Sequence, residues 1–267
     1  MKPFARRARR GNVSRARTPK SGDARGRHKS MRAATRTPPR LLPSARARAT
    51  NLRGQMPVVS SSDRPCSSAS RVTGETDVHA AKWIKLVRLD YVDPTGAART
   101  WDAVRRTTTT KEAEADAVCV FATLRGGDTK EDEVLLVRQF RPACGTETIE
   151  LPAGLIDDGE KAETSALREL HEECGYVGRV TNVTPAVVLS PGLSDESVVL
   201  VTVDVDLDAA ENANPSQRLE GSEFITVIRC PKKDLLRTLD EFSAQGIKVF
   251  AGLYTLAWAL ENAKNLQ

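Results

Sequence analysis

The sequence predicts an α/β fold: a mixed domain of roughly 150 residues behind a small antiparallel β unit and a basic N-terminal arm. Three observations carry that expectation. β-Branched runs bounded by Gly, Pro and Asp turn signals recur from residue 82 onward. Two segments near the end of the chain repeat apolar residues at helical spacing. The charge is also divided: residues 1–75 hold 19 Lys+Arg against 3 Asp+Glu, leaving 21 basic and 32 acidic residues, so the overall +5 conceals an acidic body with a basic arm.

Taken in order, residues 1–78 are rich in Arg, Ser, Ala, Thr and Pro and nearly devoid of large apolar side chains, which predicts disorder. Three roles fit such an arm. It is a solvated extension, an organellar transit peptide or a nucleic-acid-binding or nuclear-targeting segment. Few apolar residues are available for a transit helix, and aromatic residues for base stacking are lacking. The corresponding compartments are cytoplasm or nucleus, or mitochondria if residues 1–55 act as a transit peptide.

Structure is expected to begin near Ala80. KWIKLVRLDY at 82–91 alternates like a strand, DPTG at 93–96 supplies a turn, and RTWDAVRRTT at 99–108 completes a hairpin, giving a β unit over 79–114. The main domain, 115–267, opens with AVCVFAT and EVLLVRQ around the Gly126–Gly127 turn. Further β-rich runs cover 180–189, 198–205 and 224–230. Helices are expected over 232–242 and 249–263, where Leu235, Leu239, Phe250, Leu253 and Ala257 fall on apolar faces.

Five cysteines without a CxxC pair argue for free thiols in a reducing compartment, against both a disulfide frame and a zinc site. No apolar run approaches the ~18 residues of a membrane span.

The informative stretch is GLIDDGEKAETSALRELHEECGY, 154–176. It predicts a helix with Asp157 or Asp158 as N-cap, Glu160 completing a capping box from Asp157, and Gly175 as the C-terminal stop. Ala166, Leu167, Leu170 and Cys174 share an apolar arc, and Glu169, Glu172 and Glu173 occupy a separate arc beside it. Like charges at such spacing repel by a few tenths of a kcal/mol per pair, roughly. A hard divalent cation, which takes carboxylate and phosphate oxygens, would offset the repulsion.

The spacing G-x5-E-x7-R-E-U-x-E-E-x-G-U, with U aliphatic, is met by Gly154, Glu160, Arg168, Glu169, Leu170, Glu172, Glu173 and Gly175. It resembles the signature of the Nudix hydrolases, with Tyr176 replacing the last aliphatic residue. The resemblance implies an α/β/α sandwich around a mixed sheet and Mg²⁺-assisted cleavage of a nucleoside diphosphate linked to a second moiety, with Mn²⁺ as a possible substitute. Pro191, sixteen residues past Gly175, is similar to the mark of the ADP-ribose pyrophosphatase branch. VRQFRP, ELPAGLIDDGE, SPGLS, AENANP and GSEF resemble the same ADP-sugar branch.

That branch implies roles for particular residues. Glu169, Glu172, Glu173 and the carbonyl of Ala153 would hold metal, and Arg168 would orient Glu160 and the other carboxylates. Arg106 and Arg141 would neutralise the diphosphate. Trp83 and Trp101 would stack on adenine from two subunits of a homodimer with swapped β units, while Leu155 and Pro191 would contact substrate. Glu223 would serve as the base, with Asp195, Glu196 and Glu220 as competitors. The implied partner is a small nucleoside diphosphate sugar, not a membrane, and nucleic acid only through the arm. A GDP-sugar or an oxidised nucleoside diphosphate is the alternative substrate.

Overall fold

A computed structural model describes residues 67–108, 114–128 and 131–263. The arm, apart from its last dozen residues, lies outside the described residues.

Two sheets organise the described residues. The first is antiparallel, β1 (Arg71–Ala80), β2 (Ile84–Val92) and β3 (Ala98–Arg106), in the order β1-β2-β3. The second has nine strands: β4 (Ala117–Arg125), β5 (Glu133–Arg141), β6 (Thr146–Glu150), β7 (Ala153–Leu155), β8 (Arg179–Val183), β9 (Val187–Val188), β10 (Ser197–Asp206), β11 (Thr226–Pro231) and β12 (Lys248–Val249). Its main path runs β12-β6-β5-β4-β10-β8. The β4/β10 and β12/β6 pairs are parallel and the others antiparallel, so the sheet is mixed.

Period-2 alternation divides the core. Val118, Val120, Ala122 and Leu124 of β4, with Val199, Val201, Val203 and Val205 of β10, pack beneath helix α1 (Ala162–Cys174). Cys119 and Phe121 point to the opposite face. There Leu235 and Leu239 of α2 (Leu235–Ala244) and Leu253 and Ala257 of α3 (Ala251–Asn262) cover them. Helices on both faces of a mixed sheet make the expected α/β/α sandwich. Leu170 of α1 is fully buried, and truncating such a leucine costs about 2–5 kcal/mol.

Several expectations shift. The first strand begins at Arg71, ahead of the start expected near Ala80: RVTGETDVHA is paired to β2 from Arg71↔Val92 to Ala80↔Lys85. Nine of its ten residues are exposed and most are polar, so the sequence offers no apolar period. Backbone pairing holds it, helped by Lys85–Asp77 and Arg105–Glu75 ion pairs. The helix starts later than expected. Lys161 is its N-cap without a side-chain bond, and Asp157 and Asp158 precede it. Gly159, at φ 74°, turns the chain first; Glu160 still accepts from the Asp157 N–H at 3.2 Å, but within that turn and not as a helix cap. Finally, Glu173 is 3% exposed and lies inside the buried face of α1, not beside it.

Candidate active site

The N-terminal ends of β4 and β7, the ends of β3 and β5, and α1 border a cleft of about 610 Å³. β7 pairs with β4 at Cys119↔Ala153, which sets Ala153, Gly154 and Leu155 against the carboxylates of α1. Gly154 is required there. A Cβ at that position would lie 2.0 Å from Glu169 Oε1, so the missing side chain is the space the carboxylate occupies.

Arg168 holds the acidic groups together. Its Nε and Nη2 donate to Glu160 at 3.1 and 2.9 Å, and Nη1 donates to Glu169 at 2.6 Å and Glu172 at 3.2 Å. Nη2 also reaches the Leu155 carbonyl at 3.0 Å, which ties α1 to β7. The Arg168 bond holds Glu160 below the usual carboxylate range. Burial has the opposite effect on the other two: it raises Glu169 and pushes Glu173 up to about 8, even though Glu173 accepts the Ala153 N–H at 3.0 Å. Both are also raised by the nearby charge of Glu223.

These shifts describe a carboxylate group short of positive charge. One guanidinium is shared among Glu160, Glu169 and Glu172, and Glu173, eased only by the more distant charge of Arg141, makes no ion pair among the described residues. Hard oxygen donors in that deficit fit a divalent cation such as Mg²⁺ or Mn²⁺. Among the described residues, no three ligating side chains are already gathered as a ready-made cage. The guanidinium of Arg168 holds Glu169 and Glu172 in this arrangement.

The opposite charges are paired as well. Arg106, at the end of β3, bonds Glu196 through Nε at 2.7 Å and through Nη2. Arg141, at the end of β5, makes a two-point bond to Glu150 at 2.9 and 2.8 Å. Arg105 pairs with Asp195 at 2.9 Å. Of the competing bases, Asp195 and Glu196 are therefore held by arginines. Glu220 and Glu223 remain together at the cleft, where Glu223 accepts the Glu220 N–H at 2.9 Å. Cys119 also lines the cleft, but burial pushes its thiol up to about 11, which removes it as a nucleophile at neutral pH.

The model of the NUDIX domain matches residues 114–250. The chain belongs to the NUDIX family. It is 44% identical over 195 residues to the ADP-sugar pyrophosphatase of Mus musculus, spanning 73% of this chain and 88% of that one. It is 41% identical over 186 residues to the ADP-ribose pyrophosphatase of Saccharomyces cerevisiae, spanning 68% and 79%. A crystal structure of an ADP compounds hydrolase, 19% identical, shares the fold at a TM-score of 0.50 over 76% of this chain and 98% of that chain.

In this Nudix hydrolase the signature glycines have separate tasks. Gly154 clears space for Glu169, and Gly175 ends α1 at φ 77°, where a Cβ would fall 2.3 Å from the backbone N of Ser216. That contact seats the loop carrying Glu223 on the end of the helix. Gln217 secures it, donating to the carbonyls of Glu173 at 2.6 Å and Ile225 at 3.1 Å, and the Arg218 N–H donates to the Glu172 carbonyl at 2.8 Å. Nothing in the sequence signals the Gln217 and Arg218 contacts.

Of the residues expected from sequence, Arg106, Arg141, Ala153, Leu155, Arg168, Glu169, Glu172 and Glu223 line the cleft. Glu160 and Glu173 support it from behind through Arg168 and Ala153. Trp83, Trp101 and Pro191 are not among its lining residues. Pro191 belongs to a turn stitched to β3, where the Val104 N–H donates to the Leu193 carbonyl at 2.9 Å. Trp83 adjoins Arg106 at the end of the β unit, through the Thr107 N–H on its carbonyl, and Trp101 lies five residues back along β3.

Proposed function

We propose that this Nudix hydrolase cleaves the diphosphate of ADP-ribose and related ADP-sugars, giving AMP and ribose 5-phosphate. One observation carries the reading: a single cleft joins the carboxylates of α1 to arginines from β3 and β5, an arrangement that offers both a metal seat and phosphate-binding forks. The choice of ADP-ribose is supported by the relatives named for ADP-ribose and ADP-sugars and by two exposed tryptophans on the β unit.

Glu169, Glu172, Glu173 and the Ala153 carbonyl would hold Mg²⁺, or Mn²⁺ in its place. When bound, that ion supplies charge neutralisation at the diphosphate and acidifies water. Arg106 and Arg141 exchange Glu196 and Glu150 for phosphate oxygens, and Arg168 keeps the carboxylates oriented. Glu223 takes the proton of the attacking water. Water adds its hydroxyl to one phosphorus as the P–O bond to the other breaks, and the second phosphate leaves as an anion. Leu155 forms a substrate wall of the cleft, and Pro191 shapes the adjoining turn on β3.

The working form in this proposal is a homodimer. Trp83 and Trp101 are 58% and 50% exposed, and the three-stranded sheet buries little of its own surface. Five residues of strand separate Trp101 from Arg106 by about 17 Å. A second copy's β unit would bring the distant tryptophan to the adenine. The basic arm fits a targeting role, with the catalytic body acting in cytoplasm or nucleus, or in mitochondria if residues 1–55 are a transit peptide.

The test is kcat/KM over a panel of ADP-ribose, other ADP-sugars, GDP-sugars and oxidised nucleoside diphosphates with Mg²⁺. ADP-ribose is expected to rank first. A guanine or oxidised nucleotide at the top would overturn the substrate assignment.

A further inference from the structure

The cleft contains four arginines, and three are committed to carboxylates: Arg106 to Glu196, Arg141 to Glu150, and Arg168 to Glu160, Glu169 and Glu172. Arg218 lines the same cleft, and among the described residues no carboxylate lies within ion-pair distance of it. Glu172, Glu220 and Glu223 line that cleft too, so the missing pair is not for want of nearby acids.

The backbone around Arg218 is nevertheless fixed. Its N–H donates to the Glu172 carbonyl at 2.8 Å, and the preceding Gln217 side chain bridges the carbonyls of Glu173 and Ile225. Ser216 sits against Gly175 so closely that a Cβ there would be 2.3 Å from its N. None of these contacts uses the Arg218 guanidinium. A long cation anchored at its root and unpaired at its tip, within an acidic cleft, is a group whose charge the fold does not consume.

We propose that Arg218 is a substrate-binding residue whose guanidinium grips the diphosphate from the loop seated on the C-terminal end of α1. That is a different wall from the strand ends presenting Arg106 and Arg141. The chemistry favours this one. Arg106 and Arg141 must each release a carboxylate to take a phosphate oxygen, whereas Arg218 gives up only water. Its planar fork matches two phosphate oxygens at once. The inference rests on the reading of the cleft as a diphosphate site.

The experiment compares wild type, Arg218→Ala and Arg218→Lys in Mg²⁺, in two ways. One is steady-state kinetics on whichever nucleoside diphosphate derivative the wild type cleaves best. The other is calorimetric titration with inorganic pyrophosphate. Arg218→Ala is expected to raise KM and weaken pyrophosphate binding by about tenfold or more, the size of a lost charged hydrogen bond, with kcat within about threefold. Arg218→Lys should recover a large part of both losses. The melting temperature should be unchanged, because the loop is anchored through its backbone.

KM and pyrophosphate affinity within about twofold of wild type in Arg218→Ala would overturn the proposal, leaving a solvated arginine. A loss matched by a fall in melting temperature and not rescued by lysine would overturn it in favour of a structural role. If the wild type prefers another nucleotide to ADP-ribose, the substrate reading fails separately, and Arg218 is still judged on that nucleotide and on pyrophosphate.

Discussion

The two sheets make opposite use of their side chains. In β4 every residue from Val118 to Leu124 is buried, and helices cover both faces. In β1 nine of ten residues are exposed, and Trp83 just before β2, Ile84 and Leu86 in β2 and Trp101 in β3 are open to solvent. The larger sheet is a finished core that holds a strained group of carboxylates in place. The smaller one keeps most of its side chains exposed and is fastened to the larger by Val104–Leu193 and the Arg105–Asp195 and Arg106–Glu196 pairs. In the function proposed above, reaction chemistry falls to the first region, and adenine recognition with a second copy's help to the other.

The sharpest way to break this division is at α1. Glu173→Gln keeps the shape of the buried group and removes its charge, so kcat is expected to fall by a factor on the order of a hundred to a thousand while the protein stays folded. Circular dichroism alongside kinetics checks both halves. Gly154→Ala comes next: its Cβ displaces the Glu169 carboxylate, and kcat should drop by about ten- to a hundredfold. The control lies in the other sheet. Gly96→Ala meets nothing within 4 Å, and its φ of 87° costs only stability, about 1 kcal/mol, with kcat preserved.

The β unit should respond in KM instead. Trp83→Ala and Trp101→Ala are each expected to raise KM for ADP-ribose by about tenfold with little change in kcat, the value of one lost aromatic contact.

A pH experiment separates the regions thermodynamically. Burial raises Glu173 from 4.5 to about 8, so the folded metal-free protein binds a proton that the unfolded chain has already lost. Stability therefore declines as pH rises from 4.5 through about 8. Melting curves without metal should shift down by several degrees, roughly, across that window. Mg²⁺ should restore more at its upper end, and Glu173→Gln should abolish the decline. The smallest effect is expected from the arm: removing residues 1–66 should leave kcat/KM within about twofold, whereas a cut past Arg71 would also remove β1.

How much of this was legible in the sequence followed from how local each feature is. The signature spacing placed Glu160, Arg168, Glu169, Glu172 and Glu173 on one helix and its entry turn, β-rich runs located β4, β5 and β10, and alternation located β2. Strand β1 was not legible, because GETD carries no apolar period and the ladder is made by backbone groups. The helix start was misplaced because Gly159 spends Asp157 and Asp158 on a turn. Glu173 in the core defies the rule that charge lies outside. The partners of Arg106 and Arg141, 90 and 9 residues away, and the Gln217 bridge depend on tertiary packing that no short pattern encodes.

The most direct measurement is product analysis after incubating the full chain with ADP-ribose and Mg²⁺. The account predicts AMP and ribose 5-phosphate in equal amounts, formed by the wild type and all but lost in Glu173→Gln. No AMP from the wild type, or equal AMP from both proteins, would contradict it.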